Sequence, residues 1–216
     1  CYRLGRAWDG QHCGGHTIVK DTQNMSKEQK AYSSVDGRLP GDPSRESLIE
    51  RFIRVDQAGE YGAVRIYEGQ MSVLGKSESG PVISHMLAQE EAHLETFSKM
   101  IGKRRVRPTA LLPLWHLAGF ALGAGTALMG EKAAMACTVA VEEVIDEHYA
   151  AQVEKLEAMG GDEKELSETC EKFRLEELEH RDTAIEHGAE KAAGYEGLSA
   201  LVKTGSRMAI WLSERI

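Results

Sequence analysis

At 216 residues, with 28% charged side chains, a mean hydropathy of −0.37 and a formal net charge of −8, the chain has the size and composition of one water-facing domain with a full core. That acidic balance argues against a general nucleic-acid binder. Aromatics are sparse at 6%, Pro is scarce after residue 43, and Glu, Ala and Leu abound, which favours an all-α fold. The four cysteines, Cys1, Cys13, Cys137 and Cys170, form no C-x-x-C pair. Free thiols in a reducing compartment are therefore expected, with Cys137 in the core.

In chain order, residues 1–41 mix Gly, Ser and Gln with scattered Lys and Arg, without periodicity, and a disordered segment is expected there. Arg3 and Arg6 suit the remnant of a mitochondrial transit peptide or an arbitrary tail equally well. One helical domain is expected over 42–216. Asp42-Pro43 reads as a helix start, an N-cap followed by Pro at the first position. The first helix should run to about Leu74 and stop at Gly75. A second should open at Ser79-Gly80-Pro81 and end near Ile101 and Gly102. A third spans roughly Glu131 to Met159, and Gly160-Gly161 ends it. Asp162 caps a fourth that continues to His187, and a last helix covers Tyr195 to Arg215. Short turns within each pair and one long crossover between the pairs predict two antiparallel hairpins in a ferritin-like four-helix bundle.

The crossover carries an uncharged run from Pro108 to Gly130. Its length alone permits a transmembrane helix. Pro113, His116 and four glycines (Gly119, Gly123, Gly125 and Gly130) oppose that reading, and a span would separate helices whose ligands must meet. A helix at a bilayer surface, or one walling an apolar pocket, fits better; an ordinary core helix is the plain alternative. The preceding Lys103, Arg104, Arg105 and Arg107 favour an anionic membrane surface.

A pattern Glu…Glu-x-x-His occurs twice: Glu60 with Glu90 and His93, then Glu142 with Glu177 and His180. Residues three apart share a helix face, so each Glu-x-x-His aims a carboxylate and an imidazole at one point. Four carboxylates and two imidazoles suit a pair of iron or manganese ions in a helical bundle. One such motif is weak evidence. The repeat strengthens it, because moving Glu60 onto Glu142 also lays Tyr67 on Tyr149 and Gln70 on Gln152, both halves reading Glu-x6-Tyr-x2-Gln. Thr96 and Thr183 match too, each three residues after its His. Tyr67 and Tyr149 are candidates to hydrogen-bond a ligand, or else buried structural tyrosines. Glu91, Glu143, Glu176 and Glu179 read as a solvated face. Such a ligand set leaves metal positions open, which suits oxygen chemistry; iron storage gives no reason for the apolar crossover.

Four segments are similar to the demethoxyubiquinone hydroxylases, ferritin-like di-iron monooxygenases of ubiquinone biosynthesis. They are IRVDQAGEYGA around Glu60, ALGAGTALMGEKAAMACTVAVEE leading to Glu142, EELEHRD around His180, and the terminal LSERI. The resemblance covers about residues 46–216. It implies two iron ions held by Glu60, Glu90, His93, Glu142, Glu177 and His180, and hydroxylation with O2 of the ring of demethoxyubiquinol, a polyprenyl quinol. It further implies NADH as electron donor, a peripheral position on the matrix side of the mitochondrial inner membrane, and a lipid-binding accessory protein as partner. Self-association is left open. Arg51, Arg207 and Arg215 match positions that similar proteins place near NADH or quinone; the alternative for each is a surface charge. Gln57 stands where the family often has His, and Trp211 where Tyr is common. Two other readings are a ferritin-like di-iron peroxidase of the rubrerythrin type, disfavoured by the missing C-x-x-C pair, and a non-catalytic lipid-binding helical module.

Overall fold

The first helix begins two residues later than its Asp-Pro signal suggests. In a computed structural model, which describes residues 41–216, Ser44 is the N-cap: its hydroxyl accepts a 3.1 Å hydrogen bond from the Ser47 amide. The disorder and transit-peptide readings of residues 1–41 fall outside the described residues, Gly41 apart. The helical unit spans Pro43–Ile216. Its helices are α1 (Arg45–Leu74), α2 (Gly80–Arg104), α3 (Leu112–Leu128), α4 (Glu131–Ala158), α5 (Lys164–Glu186) and α6 (Tyr195–Ser213), and no strand occurs among the described residues.

Two boundaries differ from the sequence expectation for physical reasons. Helix α2 runs through Gly102, whose missing side chain faces open space, and stops instead at Arg105 in the left-handed region (φ 55°). There the Val106 amide returns to the Ile101 carbonyl at 3.0 Å, and Val106 tucks into the core, a closure that needs no C-terminal glycine. Asp162 does not cap α5, because Gly161–Glu163 forms a 3-10 turn before it.

Helices α1 and α2 pack as one hairpin and α4 and α5 as another, across connections 75–79 and 159–163 of equal length. Helix α3 lies along α1, and α6 lies along α4. Their ends meet: Trp115 Nε1 donates to Ser213 Oγ at 3.0 Å, and the Ala110 amide to the Ile216 carbonyl at 3.4 Å. The approach of α3 to α1 is made by glycine. A Cβ on Gly123 would sit 1.9 Å from the Ile66 carbonyl oxygen, and one on Gly69 2.3 Å from that of Phe120. The buried residues of α3 are therefore small, Gly119, Gly123, Thr126 and Ala127, while Leu117 and Leu128 remain 69% and 77% exposed. No described helix is long and apolar enough to cross a membrane.

The core is split. One apolar cluster, including Leu74, Ile83, Met86 and Ala184, fills the bundle end where α1 finishes. Another, including Ile53, Phe97, Leu156 and Phe173, fills the opposite end. Helix α4 has neighbours all round, so its residues from Ala133 to Glu142 are buried without a polar stripe. Cys137 and Cys170 are free and buried.

Candidate metal centre

Between the apolar ends, the middles of α1, α2, α4 and α5 each turn acids inward. Glu60, Glu90, His93, Glu142, Glu177 and His180 are all buried, none more than 2% exposed. Their donor atoms fall into two groups, each with every atom within 4.8 Å of the others. One comprises Glu60, Glu90, His93 and Glu177; the other comprises Glu90, Glu142, Glu177 and His180. Glu90 and Glu177 thus belong to both. Glu177 offers Oε1 to His93 Nδ1 and Oε2 to His180 Nδ1, each at 3.1 Å. All six residues singled out by the repeat come together.

This is a costly arrangement without cations, since buried charge must be neutralised or paired. Glu60 Oε2, Glu142 Oε2 and both oxygens of Glu90 make no hydrogen bond, although Glu90 Oε1 lies 3.1 Å from His180 Nδ1. Burial raises the pKa of Glu60, Glu90 and Glu142, and repulsion from Glu177 adds to it. For Glu177, burial is outweighed by hydrogen bonds from His180 and His93, which hold it at about 2. Burial likewise opposes charge on His93, but its bond to Glu177 and the nearby Glu60 carboxylate, 3.6 Å away, push it up to about 10. The cluster is short of positive charge. Four carboxylates and two imidazoles with unpaired lone pairs facing one another fit a pair of divalent ions of the iron or manganese type.

The repeat also builds the surroundings, and it does so crosswise. Tyr67 on α1 donates to Glu142 Oε1 on α4 at 2.8 Å, while Tyr149 on α4 donates to Glu60 Oε1 on α1. Gln70 donates to Thr138 Oγ1 at 3.3 Å and Gln152 to Asp56 Oδ1 at 2.7 Å. Thr138 and Asp56 are themselves a matched pair, each four residues before its glutamate. Both tyrosines therefore bond glutamates of the two donor groups.

Some of these partners lie outside the Glu-x-x-His motifs. Glu176, set aside as a solvated residue, has Oε2 2.8 Å from His93 Nε2. On the other side, Gln89 Oε1 is 3.1 Å from His180 Nε2. Asp56, buried and with its pKa raised by that burial, was not singled out either. The signal was present, because offsets of 82 (60 to 142) and 87 (93 to 180) lay Asp56 on Thr138 and Gln89 on Glu176. Glu91 and Glu179 are exposed as expected, and Glu143 pairs with Lys203.

Of the three arginines, Arg207 pairs with Glu147 at 2.9 Å, and Arg215 lies 4.2 Å over the Trp211 ring and bonds Glu214 at 3.0 Å. Both are on α6, whereas Arg51 is on α1. Gln57 is buried with Oε1 unbonded, whereas Trp211 is exposed.

A family model described as ubiquinone biosynthesis protein COQ7 matches residues 47–213. Curated relatives include a 3-demethoxyubiquinol 3-hydroxylase of Rhodospirillum rubrum, 59% identical over 85% of both chains. An NADPH-dependent 3-demethoxyubiquinone 3-hydroxylase, mitochondrial, of Homo sapiens is 52% identical over 81% of both. A 5-demethoxyubiquinone hydroxylase, mitochondrial, of Saccharomyces cerevisiae is 42% identical over 93% of this chain and 89% of its own.

Proposed function

The chain belongs to the family of ubiquinone biosynthesis protein COQ7, and from that premise we propose that it is a di-iron monooxygenase hydroxylating the ring of demethoxyubiquinol, a polyprenyl quinol, with O2. The observation that carries the reading is the buried pair of overlapping donor groups sharing Glu90 and Glu177. Replacing a ring C–H by C–OH consumes O2, two electrons and two protons and releases water. When bound, a pair of iron ions held by Glu60, Glu90, His93, Glu142, Glu177 and His180 would supply the redox chemistry for that step.

The chain's own residues do the rest. Tyr67 and Tyr149 hold one oxygen of Glu142 and of Glu60, leaving the other oxygen of each free to face the centre. The apolar clusters at both ends keep water away. The large exposed residues of α3 and α6 (Leu114, Leu117, Leu128, Leu201, Met208 and Trp211) make an apolar flank suited to a lipid surface. We assign that surface to the matrix side of the mitochondrial inner membrane, where the isoprenoid tail would enter and a lipid-binding accessory protein would dock. Electrons come from a reduced nicotinamide. The resemblance implied NADH, whereas mitochondrial relatives are named NADPH-dependent; Arg51, Arg207 and Arg215 remain the candidates to receive it.

Protein purified anaerobically should hold about two irons per chain, and with a demethoxyquinol, reduced nicotinamide and O2 it should give a product one oxygen atom heavier. Metal far below that level, unchanged by Glu142→Ala, would overturn the assignment.

A further inference from the structure

The two halves of the centre match in their six donors but not in what meets the outer nitrogen of each imidazole. Both histidines point Nδ1 at the carboxylates and Nε2 outward. Each Nε2 reaches the residue preceding the shared glutamate of the other hairpin. For His93 that residue is Glu176, at 2.8 Å; for His180 it is Gln89, at 3.1 Å. One imidazole thus meets a carboxylate and the other a neutral amide. A hydrogen bond to a charged acceptor is shorter and roughly twice as strong as a neutral one. Glu176 is partly shielded, with 28% of its side chain exposed, and its Oε1 lies 3.5 Å from Lys172 Nζ.

A neighbouring difference works in the same direction. Phe173 stacks on the His93 ring with centroids 3.9 Å apart, and the offset of 87 lays it on Met86, a flexible thioether, in the other half. His93 is therefore fixed on its face and at its outer edge. His180 has the edge of Tyr67, 6.1 Å between centroids, and an amide.

We propose that Glu176 is a positioning residue that makes the two metal positions unequal. By accepting a hydrogen bond from the Nε2–H of His93, it holds that ring in the tautomer whose Nδ1 lone pair faces inward. The Glu60/His93 position then binds a divalent ion more tightly than the Glu142/His180 position and fills first. The inference rests on the metal-centre reading above. Partners of this kind typically change metal affinity by about 10–100-fold.

The test is an anaerobic titration of metal-free protein with ferrous iron, followed by calorimetry. The parent should bind in two steps at least about tenfold apart. Glu176→Gln, which keeps size and shape, should merge the steps by weakening the first; Gln89→Glu should merge them by strengthening the second. Mössbauer spectra with one equivalent of iron-57 should give one quadrupole doublet for the parent and two for either variant. Equal unfolding midpoints of the metal-free proteins would separate this contact from general loss of packing. Two indistinguishable steps in the parent, or a Glu176→Gln variant that weakens both alike, would overturn the inference while sparing the metal centre. No binding at all would overturn both.

Discussion

The inner four helices and the outer pair invert the usual rule of burial in opposite ways. Helices α1, α2, α4 and α5 bury four glutamates and two histidines at the middle of the molecule. Helices α3 and α6 turn their small residues inward and leave leucine, methionine and tryptophan outside. Each inversion costs free energy unless something beyond the polypeptide offsets it. Inside, the complement is positive charge, which the unpaired carboxylate oxygens call for. Outside, the complement proposed is a lipid surface. An enzyme that draws a lipid to a metal would need both.

The sharpest way to break the inner half of this comparison is to remove the residue common to both donor groups. Glu177→Ala should abolish iron retention at both positions and reduce hydroxylation below detection, as read by metal analysis and product mass. Retention of one iron per chain would mean that Glu177 serves only one position. Next in size is the seam between the two regions. With a Cβ only 1.9 Å from a carbonyl oxygen that cannot move alone, Gly123→Val should displace α3 from α1. The expected cost is about 3 kcal/mol or more, measured by denaturant unfolding.

That seam shows where the sequence was legible and where it was not. The bundle, its hairpins and the six donors follow from spacing along the chain, because a helix converts spacing directly into a face. The repeat carried further than its motifs: the same offsets contain Asp56, Thr138, Gln89 and Glu176. What spacing does not encode is which helix a side chain meets. Tyr67 shares a face with Glu60 yet bonds Glu142, and Glu176 reads as solvated until His93 is seen beside it. The Arg105 terminus of α2 was hidden similarly, since the pull of Val106 into the core is tertiary. In the crossover, two of the four glycines read as opponents of a membrane span, Gly119 and Gly123, prove to be the packing face of α3.

A smaller effect tests the inner charge deficit. Burial raises the folded-state pKa of Asp56, Glu60, Glu90 and Glu142, and the bond to Glu177 with the nearby Glu60 carboxylate raises that of His93 to about 10 against the opposing effect of burial. The folded metal-free protein therefore holds more protons than the unfolded chain above the ordinary carboxylate pKa, about 4.3. Stability present at low pH is lost as pH rises. Glu177, held at about 2, acts oppositely and only below that window. The melting temperature of metal-free protein should thus fall steadily from about pH 5 to pH 10, and saturating iron should flatten the slope, because metal binding displaces protons. A flat profile without metal would mean the carboxylates are not short of charge.

The outer half is tested where the smallest change in folding is expected. Leu117 on α3 and Leu201 on α6 are 69% and 72% exposed, so Leu117→Ser with Leu201→Ser removes little packing and should alter unfolding by no more than about 0.5 kcal/mol per site. If that flank rests on lipid, each leucine contributes about 1.5–3 kcal/mol when fully buried there. Partial immersion still predicts at least a tenfold loss of binding to phosphatidylcholine–cardiolipin vesicles by cosedimentation. Turnover on a short-tailed, water-soluble quinol should be unchanged, since the metal ligands are untouched, while turnover on a long-tailed quinol in vesicles should fall with binding. Equal loss on both substrates would mean these side chains support the site instead, and the inversion on α3 and α6 would then need another cause.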